Sequence, residues 1–133
     1  MKSWLRSGAL ALTFLGLSAF DLRGEERLFL TLDEISKTII GSTMTGETKD
    51  GIGYAEYYGP DGVIHGHLEK GGAFKASWWL RKEDNLMCFR YGDGAFEAGC
   101  VRLSFAGDKV DLVLMDGVVE GSATLLTGNP KNL

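Results

Sequence analysis

With 133 residues, 44% of them hydrophobic, the chain is long enough for one domain and no more. It carries 18 acidic and 14 basic side chains, a formal charge of −4, and so lacks the basic field that nonspecific nucleic-acid binding requires. Cys88 and Cys100 are its only cysteines and form no CxxC pair, which removes the common redox motif.

The chain opens with MKSWLRSGALALTFLGLSAF: Lys2 and Arg6, an apolar run over Gly8 to Leu17, then the small residues Ser18 and Ala19. That layout predicts a signal peptide over residues 1–19. The apolar run is short for a bilayer span, and a retained anchor is the alternative. No cysteine stands directly after it, so lipid attachment at that point is not expected. Removal takes two basic residues and leaves 12 basic against 18 acidic, a formal charge of −6. A periplasmic or secreted location follows, and in such an oxidising compartment two thiols are expected to pair.

Residues 20–30, which include the charged run DLRGEER, form an N-terminal extension, and 31–128 form a single β-domain with a leading helix. The helix is predicted within LFLTLDEISKTIIG. Thr31 and Glu34 have the spacing of a capping box, Leu32, Ile35 and Ile39 share one face, and Gly41 is placed to end the helix. From Ser42 the pattern changes to short alternating runs separated by turn residues, the mark of an all-β fold. Candidate strands are 43–48, 52–58, 63–69, 73–81, 85–91, 98–105, 109–115 and 118–127, and the 19 glycines favour tight turns between them.

Residues opposed across an antiparallel pair share a face, so each hairpin can be tested for agreement of its apolar sides. Across successive turns, Leu114 is expected opposite Val119, Leu112 opposite Gly121, Val110 opposite Ala123, and Leu103 opposite Leu112. Val101 is expected opposite both Met87 and Leu114, Phe89 opposite Trp78, and Tyr91 opposite Ala76. Leu68 should meet Phe74, Gly66 should meet Ala76, Tyr57 should meet Ile64, and Ala55 should meet Gly66. One inward face then runs through seven strands. An eight-stranded antiparallel up-and-down meander closed into a lipocalin-like barrel, its end plugged by the helix, is the predicted fold, with a β-sandwich as the alternative. Tyr57, Phe74, Trp78, Phe89, Tyr91 and Phe105 are expected to fill the interior, whereas Ala55, Gly66, Ala76, Gly121 and Ala123 leave room on one side.

The same register sets Cys88 opposite Cys100 on the outer face, as a disulfide. Trp79 neighbours Cys88, and Lys75, Arg81, Arg90 and Arg102 share that face, making a candidate basic-aromatic patch for an anionic ligand or protein partner. His65, His67 and Glu69 alternate along one strand and are the candidate metal ligands, with Tyr54 and Glu56 expected opposite the histidines. A solvated polar strand is the competing reading of that trio. No GxSxG, HExxH or nucleotide-binding glycine pattern occurs, so no enzyme and no cofactor are predicted.

The order YYGPDGVIHG, GGAFKASWWL, NLMCFRYGDGAFEAGCVRL, DGVVEGSATLLTGNP resembles small exported proteobacterial β-domain proteins of unknown function. These share an export signal, a leading helix, a G-x-W strand, two later cysteines and a closing GNP; here G-x-W is loosened to Gly72 and Trp78. The resemblance runs from Leu30 to Pro130 and implies a fold but no catalytic residues. The general plan is also similar to lipocalin- or avidin-like ligand barrels and to small periplasmic barrel inhibitors of metalloproteases. The expectation is a monomeric, non-enzymatic, exported binding or interaction module acting on a protein or small ligand, with neither nucleic acid nor, after signal removal, membrane as partner. Two alternatives stand beside it: a carrier of a small apolar ligand inside the barrel, and a protease-inhibitor-like barrel using DLRGEER.

Overall fold

The leading helix forms because its first turn satisfies itself. Thr31 and Glu34 make a reciprocal capping box: the Glu34 amide donates to Thr31 Oγ1 (3.1 Å) and the Thr31 amide donates to Glu34 Oε1 (2.9 Å). The computed structural model describes residues 27–92 and 99–133; the predicted signal peptide, most of DLRGEER and the 93–98 segment lie outside the described residues. The helix, α1, spans Leu32–Thr38. At seven residues it is too short to stand alone, and Ile35 and the capping Ile39 are wholly buried against the strands.

Eight strands follow: β1 (Thr43–Glu47), β2 (Gly53–Tyr58), β3 (Val63–Leu68), β4 (Gly72–Arg81), β5 (Leu86–Tyr91), β6 (Gly99–Ala106), β7 (Lys109–Val113) and β8 (Val119–Leu126). Each pairs with the next, and β8 returns to β1 through Thr43–Leu126, Met44–Leu125 and Thr45–Thr124, closing the barrel. Closure removes both sheet edges and decides for the barrel over the sandwich. The two ends differ. At the end holding the β2–β3, β4–β5 and β6–β7 turns, Leu30, Ile35 and Ile39 pack with Tyr58, Ile64, Leu103 and Val110 in the core. The opposite end, where the described β1–β2, β3–β4 and β7–β8 connections lie, has no helix of the described residues across it.

Much of the expected register is present. Trp78 pairs with Phe89, Ala76 with Tyr91 and Leu80 with Met87. Met87 pairs with Val101 and Cys88 with Cys100, and Leu103 with Leu112. Leu112 also pairs with Gly121. Beyond Leu112 a bulge puts Val113 opposite Val119, which displaces the expected Leu114–Val119 pair. The turn around Asp116 and Gly117 is accordingly wider than the Leu114–Val119 pair would give: the Gly117 amide donates to the Leu114 carbonyl and the Leu114 amide to the Val118 carbonyl. Between β3 and β4, Leu68 meets Gly72 and Gly66 meets Phe74, two residues from expectation but in the same phase.

One departure changes the interior. Tyr58 pairs with Ile64 and Glu56 with Gly66, so β2 is one residue out of the expected register and both of its faces are exchanged. The cause lies in the GPDG turn. Gly59 donates to the Val63 carbonyl, which leaves Pro60, Asp61 and Gly62 as a three-residue loop. Gly62 has φ +85°, a left-handed conformation that suits glycine. The Asp61 carboxylate accepts from the Val63 amide (3.1 Å) and fixes the loop. Ala55 and Tyr57 therefore face outward, opposite His67 and His65, and the expectation that they line the interior is corrected. Tyr54, Glu56 and Tyr58 face inward in their place. Phe105 also departs: it pairs with Val110 but sits at the barrel end, 42% exposed, and fills little of the interior.

Candidate functional site

The inverted strand brings a carboxylate into the barrel. Glu56 is only 7% exposed. Its Oε1 accepts from the Tyr58 hydroxyl (2.6 Å) and its Oε2 accepts from the Tyr91 hydroxyl (2.8 Å), tying β2 to β5 across the lumen. Burial raises the Glu56 pKa above its ordinary value, and the two phenol hydrogen bonds oppose that rise. Tyr54 is pushed up to about 12 by burial and by the Glu56 charge. Burial and then the same charge raise Tyr58 and Tyr91 as well, so both phenols keep their protons and act as donors to the carboxylate.

Above this cluster lies a cavity of about 670 Å³, within the range of small-molecule sites. Met44, Tyr54, Leu68, Phe74, Leu112 and Gly121 contribute to its wall, with Glu56, Tyr58 and Tyr91 among its polar lining. Glu47, Thr48, Lys49 and Glu120 stand at the open end of the barrel. Two glycines keep this space from being filled by its own aromatics. A Cβ at Gly66 would collide with the Phe74 ring, and one at Gly46 would lie 2.9 Å from Tyr54 Oη. Each ring therefore lies over the glycine of the neighbouring strand, along the wall. Gly121 contributes differently: nothing lies within 4 Å of where its Cβ would stand. Phe74, Tyr91, Phe89 and Tyr58 form a chain of tilted rings with centroids 6.1 to 6.4 Å apart.

A larger concavity, about 1220 Å³, runs along the outside of β1 to β4 beside the C-terminal residues Lys131 to Leu133. His65, His67 and Glu69 border it. They share one face as expected, but among the described residues no group of three or more His, Cys, Asp or Glu side chains could hold a metal ion. Glu69 instead folds over Gly53, where a Cβ would stand 2.7 Å from its carboxyl carbon. Tyr57 and Ala55, not Glu56 and Tyr54, lie opposite the histidines, because of the exchanged faces of β2.

The outer patch is present but largely occupied with itself. Cys88 and Cys100 form the expected disulfide, Cα–Cα 3.9 Å, which suits a non-reducing environment. Trp79 pairs with Cys88 and is 36% exposed, with the Arg90 guanidinium 5.5 Å from its ring. Arg81 makes a two-pronged contact with Asp84 (2.9 and 2.8 Å), and Arg102 stacks 4.8 Å above Phe29. Lys75 lies across from His65, toward the other end of β4. Each arginine thus has an intramolecular partner.

The residue that sequence reasoning missed is Glu56, together with Tyr54 and Tyr58. The available signal was the PDG sequence, which favours a three-residue loop closed by a left-handed glycine. Among the described residues no helix is long and apolar enough to cross a membrane. Compared with protein-family models, curated proteins and solved structures, the chain matches none.

Proposed function

We propose that this protein is an exported binding barrel that takes one small ligand with an apolar body into the open half of its lumen. The observation that carries this reading is the cavity of about 670 Å³ inside a closed barrel whose other end is packed by α1. A domain of this size normally fills its interior to crystal-like density, and an eight-stranded barrel is just wide enough either to be filled or to hold a ligand. Here the rings of Phe74 and Tyr54 lie over glycines, and Gly121 leaves its side of the lumen empty. Export is supported by the layout of residues 1–19, by the disulfide and by the resemblance to small exported β-domain proteins. Docking of a partner on the Trp79 face draws less support, since Arg81, Arg90 and Arg102 are already engaged.

Titration with neutral N-phenylnaphthylamine, which brightens in apolar surroundings, tests the reading. A saturable single-site rise in emission is expected. A flat response with folded protein would sink it.

A further inference from the structure

Resting on that reading of the cavity, we propose that its ligand carries an ammonium group, which seats on Glu56 beside the hydroxyls of Tyr58 and Tyr91. The protons of Tyr58 and Tyr91 are both directed at Glu56, one to each carboxylate oxygen. A carboxylate has about four acceptor positions, and a phenol oxygen keeps lone pairs after it has donated. What this cluster still offers to the cavity is therefore acceptor capacity. A ligand group that satisfies it must donate, and an ammonium presents a donor on each of its hydrogens.

The charge on the site points the same way. A buried carboxylate is costly unless a counter-charge compensates it, and among the described residues Glu56 takes part in no salt bridge. Lys49, Lys75, Glu47 and Glu120 on the cavity margin are all exposed and balance one another in charge, which leaves Glu56 as the uncompensated buried charge of the site. The field of Glu56 reaches Tyr54, Tyr58 and Tyr91, and that of Glu120 reaches Tyr91. Aromatic faces favour cations by the same electrostatic logic, and Tyr91 and Phe74, in tilted contact with each other, line the cavity together with the carboxylate. The apolar remainder of the ligand would lie against Met44, Leu68, Leu112 and the open space at Gly121. An organic amine with a flat apolar body fits each of these features; a carboxylate ligand meets repulsion at the cluster.

Calorimetric titration of the oxidised protein with tryptamine, tryptophol and indole-3-acetate tests the head group on one body. Tryptamine should bind at least about tenfold tighter than tryptophol, and indole-3-acetate weakest of all. Glu56→Gln should remove the preference and bring tryptamine to the level of tryptophol. Equal binding of amine and alcohol by the unmutated protein, or a preference for the acid, overturns the proposal without recourse to any variant. If N-phenylnaphthylamine binds and none of the indoles does, the ammonium assignment fails and the cavity reading stands. If no probe binds, both fail.

Discussion

Gly121→Leu separates a cavity kept open for a ligand from one left by loose packing. Gly121 lies opposite Leu112 on the inner face of β8, its backbone is outside the left-handed region, and a Cβ there meets nothing within 4 Å. A leucine can therefore enter the lumen without displacing its neighbours. Full burial of its side chain contributes about 1.5–3 kcal/mol, and replacing a glycine within a strand adds about 0.5–1 kcal/mol. The cavity opens to solvent at one end, so burial is partial and a net gain of about 1–2 kcal/mol is expected. For a domain of this size that raises Tm by roughly 5–10 °C. Scanning calorimetry of the oxidised protein reads the gain, and N-phenylnaphthylamine titration should show binding lost in the same variant. A stabilised protein that no longer binds is the signature of space reserved for a ligand. Destabilisation with undiminished binding would refute the placement of the cavity.

Three further outcomes follow from the geometry. Because burial raises the folded-state pKa of Glu56, its contribution to stability is fully present below its ordinary value of 4.5 and is lost as pH rises through the folded value. The groups around it are Tyr54 and Tyr58 on β2, Tyr91 on β5, and Glu47, Lys49, Lys75 and Glu120 at the margin; Glu56→Gln should remove that loss from a stability-versus-pH curve, and an unchanged slope would contradict it. Asp111 has the opposite sign, its pKa lowered by hydrogen bonds from Ser122 and then Arg27; Asp111→Asn should flatten only the acid limb, where stability is lost as pH falls through the folded value. Reducing Cys88–Cys100, which closes a loop of sequence separation 12, should cost about 2–4 kcal/mol in urea unfolding, and an unchanged midpoint would refute its role as a staple.

The parts of this molecule that sequence made legible are those fixed by local chemistry. Thr31 and Glu34 announce the helix start because a capping box needs only two side chains at fixed spacing. Cys88 and Cys100 announce each other because the alternation of β5 and that of β6 agree in phase. The site itself was hidden behind Gly62. A four-residue reading of GPDG places Ala55 and Tyr57 inside, a plausible apolar face, whereas the actual three-residue loop places Tyr54, Glu56 and Tyr58 there. Hydrophobic patterning prefers the first arrangement, and a buried carboxylate is what that preference would reject. The bulge after Leu112 was hidden for a similar reason, since Val113 and Leu114 are equally apolar and either phase looks consistent.

Native mass spectrometry of the protein, purified gently from cells that produce it, tests the central claim most directly. The account predicts a bound species of defined mass at one copy per chain, protonated in solution as an amine is, and absent from Gly121→Leu purified in parallel. Bare protein in both preparations, or the same adduct on both, would contradict a ligand-holding lumen.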